Sequence, residues 1–320
     1  MVKQEVLAAL DGARGQYISG QELAARLGVS RTAIWKAVAA LRSDGIPIEA
    51  VTNRGYTLSK NVDVLNTAAV AALLHEAPLQ ALQIEVVDRL PGTNSVLRAR
   101  ADNGAPEGLV LIAQAQSAGR GRGGHSFYSP PGGLYLSVLL RPEIGARQAV
   151  GLTAMAAVAA ARAAEKLCGT PIRIKWVNDL FVGGRKVCGI LAEGGIDPEN
   201  GALRYVVLGI GIDVAAQSFP PPLDAVATTL ENEGAAVEPD ALAAAVLEEW
   251  ERAYAAIGDG AWLDESRRRS LILGRTVTVE RGSERFCGTA DAIDDEGHLH
   301  VITPDGRTAV LSSGEVSIRL

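Results

Sequence analysis

The sequence predicts an α+β protein of several domains, and three observations carry that reading. Residues 1–60 hold three short amphipathic stretches followed by two apolar segments around a glycine turn. Residues 85–272 mix apolar strand-like runs with long helical periodicities. From residue 273 onward every segment is short, apolar and bounded by Gly or Asp. A chain of 320 residues, 48% of them hydrophobic, can bury the cores that such a division needs.

The first part is read in order. Residues 2–10 form an amphipathic helix. Ser19-Gly-Gln-Glu22 is a capping box that opens a second helix over 22–27. Gly28-Val29-Ser30 makes a tight turn, and Ser30 caps a third helix in which Ile34, Val38 and Leu41 recur on one face. Asp44-Gly45 ends it as a glycine cap. Residues 46–51 and 56–58 make a hairpin over Asn53-Arg54-Gly55. Helix, helix, tight turn, helix and hairpin is a winged helix-turn-helix, whose third helix would enter the DNA major groove. Ser30, Arg31, Thr32 and Lys36 stand at its start or on its polar face, and Arg54 stands at the hairpin tip. Residues 1–60 carry a net +3 in a chain of net −6, which fits nucleic-acid binding at one end. A module for protein contact is the other reading.

Residues 61–84 are a linker with a helix over 65–74. The mixed α/β part spans 85–272. Within it, 93–101 reads as helix, 109–115 and 134–140 as strands, and 147–167 as a helix apolar nearly all round and therefore central. Residues 172–176 form a short strand, 181–192 a hairpin over Gly183-Gly184-Arg185, and 205–214 a strongly apolar strand. Residues 215–227, with three consecutive prolines, are a loop. The helix over 240–257 places Leu242, Val246, Trp250, Tyr254 and Ile257 on one stripe. Residues 273–320 hold five short strands and predict a small barrel.

Several classes are excluded. Cys168, Cys188 and Cys287 are too few and too far apart for a disulfide framework or a metal motif. His75, His125, His298 and His300 make no zinc pattern, and the last two read as a solvated pair on one strand face. The longest apolar run, around Met155, is interrupted by Arg162, and no secretory leader is visible. The expectation is a cytoplasmic protein with no membrane contact.

Four segments could carry chemistry. Gly119-Arg120-Gly121-Arg122-Gly123-Gly124 follows an apolar strand. Glycine lets backbone approach an anion, and guanidinium groups supply planar donors for phosphate or carboxylate. A flexible surface turn is the alternative. The spacing formally matches a dinucleotide fingerprint, but Pro130-Pro131 and a strand follow where a helix should begin. In Lys175-Trp176-Val177-Asn178-Asp179, Lys175 could hold a carboxylate and a phosphate together for in-line transfer. A solvated strand-end lysine is the other reading, and Asn178 and Asp179 could be turn residues. Asp179 is the nearby carboxylate suited to magnesium. Gly189-Ile190-Leu191-Ala192-Glu193-Gly194 and Gly209-Ile-Gly211-Ile-Asp213 leave room for a flat ligand against a strand, or mark a bulge or corner.

Together these segments, with Thr93-Asn94 before them, the helical module first and the barrel last, resemble the biotin–protein ligases of the bifunctional, repressor-containing type. The resemblance covers nearly the whole chain. It implies a class II synthetase-like central domain and an SH3-like C-terminal barrel. It implies that biotin and ATP, with magnesium, give biotinyl-5'-AMP, and that biotin passes to a lysine of a carboxyl-carrier domain such as that of acetyl-CoA carboxylase. It also implies repression at the operator DNA of biotin genes by a ligand-promoted homodimer. Thr93, Asn94, Gln116, Lys175, Gly189, Ile190 and Leu191 would bind biotin, beneath a loop of Gly119, Arg120, Gly121, Arg122, Gly123 and Gly124. Arg120, Arg122, Trp176, Asn178, Asp179, Asp213 and Arg319 would bind ATP or the adenylate. Asp179 would hold magnesium. Lys175, Arg120 and Arg122 would be catalytic, and residues 213–228 would order over adenine. Gly92, Gly123, Val177 and Asp213 depart from the residues frequent there, which are Ser, Arg, Pro and Asn. A biotin-sensing regulator with weak or lost ligase activity, a ligase without DNA binding, and a lipoate or octanoyl ligase are the competing readings.

Overall fold

The computed structural model describes the chain outside residues 1, 14, 44, 45, 47, 53, 59–64, 75, 76, 145–148, 198, 200, 258, 259, 282, 283, 313, 314, 319 and 320. The expected Asp44-Gly45 cap, the turn residue Asn53, His75, the start of the 61–84 linker and Arg319 therefore lie outside the described residues. The chain forms two compact units, Met1–Ala72 and Leu73–Leu320.

In the first unit α1 (Val2–Asp11), α2 (Gly20–Leu27) and α3 (Arg31–Ser43) pack over a hairpin of β1 (Ile48–Val51) and β2 (Gly55–Leu58). Ser19 caps α2 by accepting from the Glu22 N–H at 3.1 Å, and Ser30 caps α3 by accepting from the Ala33 N–H at 3.1 Å. Gly28 takes the left-handed conformation, φ 65°, that the turn between them requires. Leu10, Leu23, Ile34, Val38, Leu41 and Leu58 form the core. The apolar stripe of α3 thus faces inward and leaves Arg31, Thr32, Trp35 and Lys36 exposed. This unit is a winged helix-turn-helix, ending in part of α4 (Thr67–Leu73), where Asn66 Nδ2 donates to Asp11 at 3.0 Å.

The second unit begins with the short helix α5 (Ala77–Gln80). Its centre, among the described residues, is a mixed seven-stranded sheet. The strands are β3 (Gln83–Leu90), β4 (Leu109–Gln116), β5 (Gly133–Leu140), β6 (Arg173–Lys175), β7 (Asp179–Val182), β8 (Arg185–Ile196) and β9 (Leu203–Asp213), ordered β3-β4-β5-β9-β8-β7-β6. Only β3 and β4 pair in parallel, across the crossover helix α6 (Thr93–Asp102). Helix α7 (Ala149–Cys168) is Ala-rich because it is buried on nearly every side, as its even apolarity predicts. It packs against α8 (Pro239–Ala255), α9 (Ala261–Arg269) and the sheet. Helix α9, with three arginines in its last turn, shows no apolar periodicity in sequence. Ion pairs hold it to α7: Arg162 of α7 donates to Glu265, and Arg269 pairs with Glu165 of α7 as well as with Glu265 in its own helix. The stripe expected on α8 holds for Leu242, Val246 and Trp250, whereas Tyr254 is half-buried and Ile257 is exposed beyond the helix end.

Strands β10 (Thr276–Arg281), β11 (Glu284–Ile293), β12 (Leu299–Ile302), β13 (Thr308–Leu311) and β14 (Glu315–Ile318) make the small antiparallel sheet, ordered β13-β12-β11-β10-β14. Its core takes in Trp176 and Val177 from the central sheet region. His298 and His300 are not simply solvated. Both face Asp294, at 3.3 Å and 2.9 Å, because the turn carboxylate also accepts the His298 and Glu296 backbone N–H groups. Among the described residues no helix is long and apolar enough to cross a membrane.

Candidate active site

The site lies on the face of the central sheet where glycine replaces side chains. Gly209 and Gly211 on β9 and Gly189 on β8 leave a shallow floor. A Cβ at Gly209 would overlap the Asn94 amide, and one at Gly211 or Gly189 would press on the Phe127 ring. These glycines therefore serve close approach rather than strand bending.

The end of the floor is polar. Thr93 and Asn94 open α6 and are buried, as is Ser137 on β5. The Thr93 N–H donates to Gln116 Oε1 at 2.8 Å, and Gln116 Nε2 donates to Ser129 Oγ at 2.9 Å. The Ser137 hydroxyl lies 2.6 Å from both Thr93 Oγ1 and Asn94 Oδ1. Buried polar groups placed this densely are held by one another and can read the edge of a polar ligand. Gly92, at the N-cap of α6, has ordinary room for a Cβ, so its backbone does not demand glycine.

The arginine–glycine segment folds back on itself. Gly121 N–H donates to the His125 carbonyl at 2.7 Å and Phe127 N–H to that of Gly119 at 2.9 Å, around a 3-10 turn at Arg122–Gly124. Gly119 is required here because a Cβ would meet Ser129 and the Phe127 carbonyl. No helix follows, which disposes of a dinucleotide-binding turn. Arg120 and Arg122 both line an inner cavity of about 60 Å³, together with Gln116, Asn178, Ile190 and Leu191. Arg120 Nη1 is 4.0 Å from Glu193, and Arg122 Nη1 donates to Asn178 Oδ1 at 3.2 Å. The Phe127 ring fills much of the glycine floor, so ligand entry must move it.

An outer cavity of about 450 Å³ adjoins the first and shares Arg122, Phe127, Asn178 and Lys186 with it. Lys175, Trp176, Asp179 and, from the barrel, Glu280 complete its wall. Lys175 therefore shares the outer cavity with Arg122 but lies outside the inner one, with its ammonium 5.9 Å from the Phe181 ring centre. The Trp176 indole is 5% exposed and donates to the Gly297 carbonyl at 3.0 Å, which anchors the barrel to this wall. Asp213 is buried at the end of β9 and lines neither cavity. Its Oδ1 has no hydrogen-bond partner among the described residues, and burial pushes its pKa up to about 8 against the pull of Lys186.

Sequence reasoning missed Phe127, Ser137 and Lys186, of which Lys186 is the cation. It stands three positions before Gly189, so a regular strand would point it away from the floor. The β7–β8 register shifts between Leu180, paired with Cys188, and Phe181, paired with Lys186. The extra residue, Val187, bends β8 and turns Lys186 onto the glycine face. Its Nζ lies 2.6 Å from Asp179 Oδ1. No pattern of residue types announces a bulge of this kind.

In the first unit, Arg31 and Thr32 border a groove with Trp35, Val51 and Gly55. Lys36 is exposed on the same helix, Ser30 is spent as its cap, and the Arg54 guanidinium folds over the Tyr17 ring at 4.3 Å.

Known proteins resemble this chain in sequence and in fold. The Biotin/lipoate A/B protein ligase family matches residues 86–213, an HTH domain matches 2–57, and the Biotin protein ligase C terminal domain matches 272–319. The bifunctional ligase/repressor BirA of Bacillus subtilis is 32% identical over 321 residues, covering 98% of this chain and 97% of that protein. The chain belongs to the biotin protein ligase family, in its bifunctional ligase/repressor branch. A second relative in that branch, from Escherichia coli, is 30% identical over 312 residues, with 96% and 94% covered. A solved biotin protein ligase from Aquifex aeolicus, in complex with biotin and ATP, superposes with a TM-score of 0.63 at 25% identity, covering 74% of this chain and 98% of that one.

Proposed function

We propose that the chain is an ATP-dependent biotin–protein ligase and a biotin-responsive repressor. A biotin carboxylate oxygen attacks the α-phosphorus of ATP, pyrophosphate leaves, and biotinyl-5'-AMP forms. The neutral amine of a carrier-protein lysine then attacks the acyl carbon, AMP leaves, and the amide loses its proton. The observation that carries the reading is the convergence of Arg120, Arg122 and Lys186 on one cavity whose far end is a buried polar cluster.

The roles follow from position. Thr93, Asn94 and Gln116 take the polar head of biotin, and the floor at Gly189, Ile190 and Leu191 takes its rings. Arg120, Arg122 and Lys186 neutralise charge that builds on the phosphoryl oxygens, which is worth most where water is excluded. Lys175 faces the outer cavity, where the leaving pyrophosphate would lie. Asn178 lies between both cavities and can meet the adenylate, and Trp176 supports that wall from behind. Asp213 and Arg319 are carried as adenine-side and ATP contacts on the resemblance alone. The Gly119–Gly124 segment and residues 213–228 close over the mixed anhydride and keep it from hydrolysis. Asp179, whose Oδ1 lies 2.6 Å from Lys186 Nζ, is the carboxylate that would hold magnesium beside the ATP phosphates, and no step is routed through such an ion.

The functional division is 1–60 for DNA, 61–84 as connector, 85–272 for biotin and ATP, and 273–320 as the barrel. Arg31, Thr32, Lys36 and Arg54 contact operator DNA, with Ser30 setting the helix start. A cytoplasmic, ligand-promoted homodimer would present two such modules to a two-fold operator. Incubation with biotin, ATP and a carboxyl-carrier domain tests the ligase reading: pyrophosphate release and a biotinylated carrier lysine are expected. Release of neither would overturn it.

A further inference from the structure

Glu193 lines neither cavity, yet it sits at the end of the polar chain that closes the inner one. Its side chain is 17% exposed. Oε1 accepts from Arg98 Nη1 at 2.8 Å, and Oε2 accepts from Asn94 Nδ2 at 3.0 Å. A guanidinium can only donate and an ionised carboxylate can only accept. This end of the chain therefore has one sense. The orientation of an amide elsewhere is a matter of which partner wins, but Asn94 must turn its NH₂ toward Glu193. Its second N–H goes to the Leu191 carbonyl at 3.2 Å.

With both N–H groups spent, Asn94 turns its oxygen to the pocket. The Ser137 hydroxyl, 2.6 Å away, must donate to that oxygen. Ser137 has one proton, so toward Thr93 Oγ1, also 2.6 Å away, it can only accept. What is left for a ligand is a lone pair on Asn94 Oδ1. Gly209 allows this, since any Cβ there would displace the amide.

We propose that Glu193, held by Arg98, is a positioning residue that fixes the hydrogen-bond polarity of the biotin-head pocket, so that Asn94 presents an acceptor to a urea N–H. This rests on the biotin reading. The ion pair acts through orientation more than through energy, because Arg98 is 40% exposed and the Coulomb gain of such a pair is small.

The test is calorimetric titration without ATP, using biotin and the two cyclic-carbamate analogues in which a ring oxygen replaces one or the other urea N–H. In Glu193→Gln the amide can offer Asn94 a donor and release it to flip. Biotin binding is expected to weaken about tenfold, the cost of one ligand hydrogen bond. At least one carbamate should hold within about twofold, so the preference for biotin over it falls about tenfold. Arg98→Met keeps the carboxylate and should keep the preference. Equal weakening of all three ligands in Glu193→Gln would show a merely structural role and overturn the proposal, as would no change at all. A wild-type chain that failed to bind biotin would overturn the reading beneath, and the proposal with it.

Discussion

Lys186 Nζ and Asp179 Oδ1 lie 2.6 Å apart, across the bulge that turns Lys186 onto the glycine face of the sheet. Lys186 borders both cavities, which places one cation on the wall between them. The pair with Asp179 fixes the position of the Lys186 ammonium on that wall.

Lys186→Ala is therefore expected to slow adenylate formation by about 100-fold, some 2.7 kcal/mol of transition-state stabilisation. Lys175→Ala, at the outer cavity, should cost on the order of 10-fold. Single-turnover pyrophosphate release separates the two, and the reverse order would return the central role to Lys175.

Much of this site is legible in sequence because its residues are constrained by type. The Arg120 and Arg122 pair among glycines, Thr93 and Asn94 at a helix start, and the strand glycines each have few structural uses. The winged helix is legible because Ser19 and Ser30 cap its helices and Ile34, Val38 and Leu41 keep one period. Lys186 is hidden because a bulge overrides strand alternation. Strand β3 is obscured by Glu85, Asp88 and Arg89 at one sheet edge, and α9 by ion pairs that only tertiary contact supplies. Trp176 reads as part of a nucleotide motif, but its indole N–H is used by the barrel.

Asp213 makes stability depend on pH. Its folded pKa, about 8, is raised above the ordinary carboxylate value, so the folded chain holds a proton that the unfolded chain releases near pH 4. The stability this gives is full below about pH 4 and is lost as pH rises toward 8. Asp213→Asn should raise the melting temperature more at pH 8 than at pH 5. An equal shift at both would show that the carboxyl is not buried neutral.

Trp176→Phe removes the indole donor and leaves the Gly297 carbonyl without it. A loss of about 1–3 kcal/mol is expected, read by calorimetry as a fall of about 2–4 °C per kcal/mol for a unit of this size. An unchanged melting temperature would mean that the barrel is anchored by apolar packing alone.

Arg31 is exposed at the first turn of α3, where a groove-reading helix meets phosphate or base edges. Arg31→Ala should weaken operator binding and flatten the slope of log affinity against log salt by about one. A weakened affinity with an unchanged slope would indicate a base contact rather than a phosphate contact.

A crystal structure of the full chain grown with biotin and ATP bears most directly on the convergence of Arg120, Arg122 and Lys186. The expected result is biotinyl-5'-AMP over Gly189 and Gly211, with Phe127 displaced, Asn94 at the urea ring, and the phosphate within hydrogen-bond distance of Arg122 and Lys186. An adenylate bound elsewhere, or one whose phosphate meets none of the three cations, would contradict it.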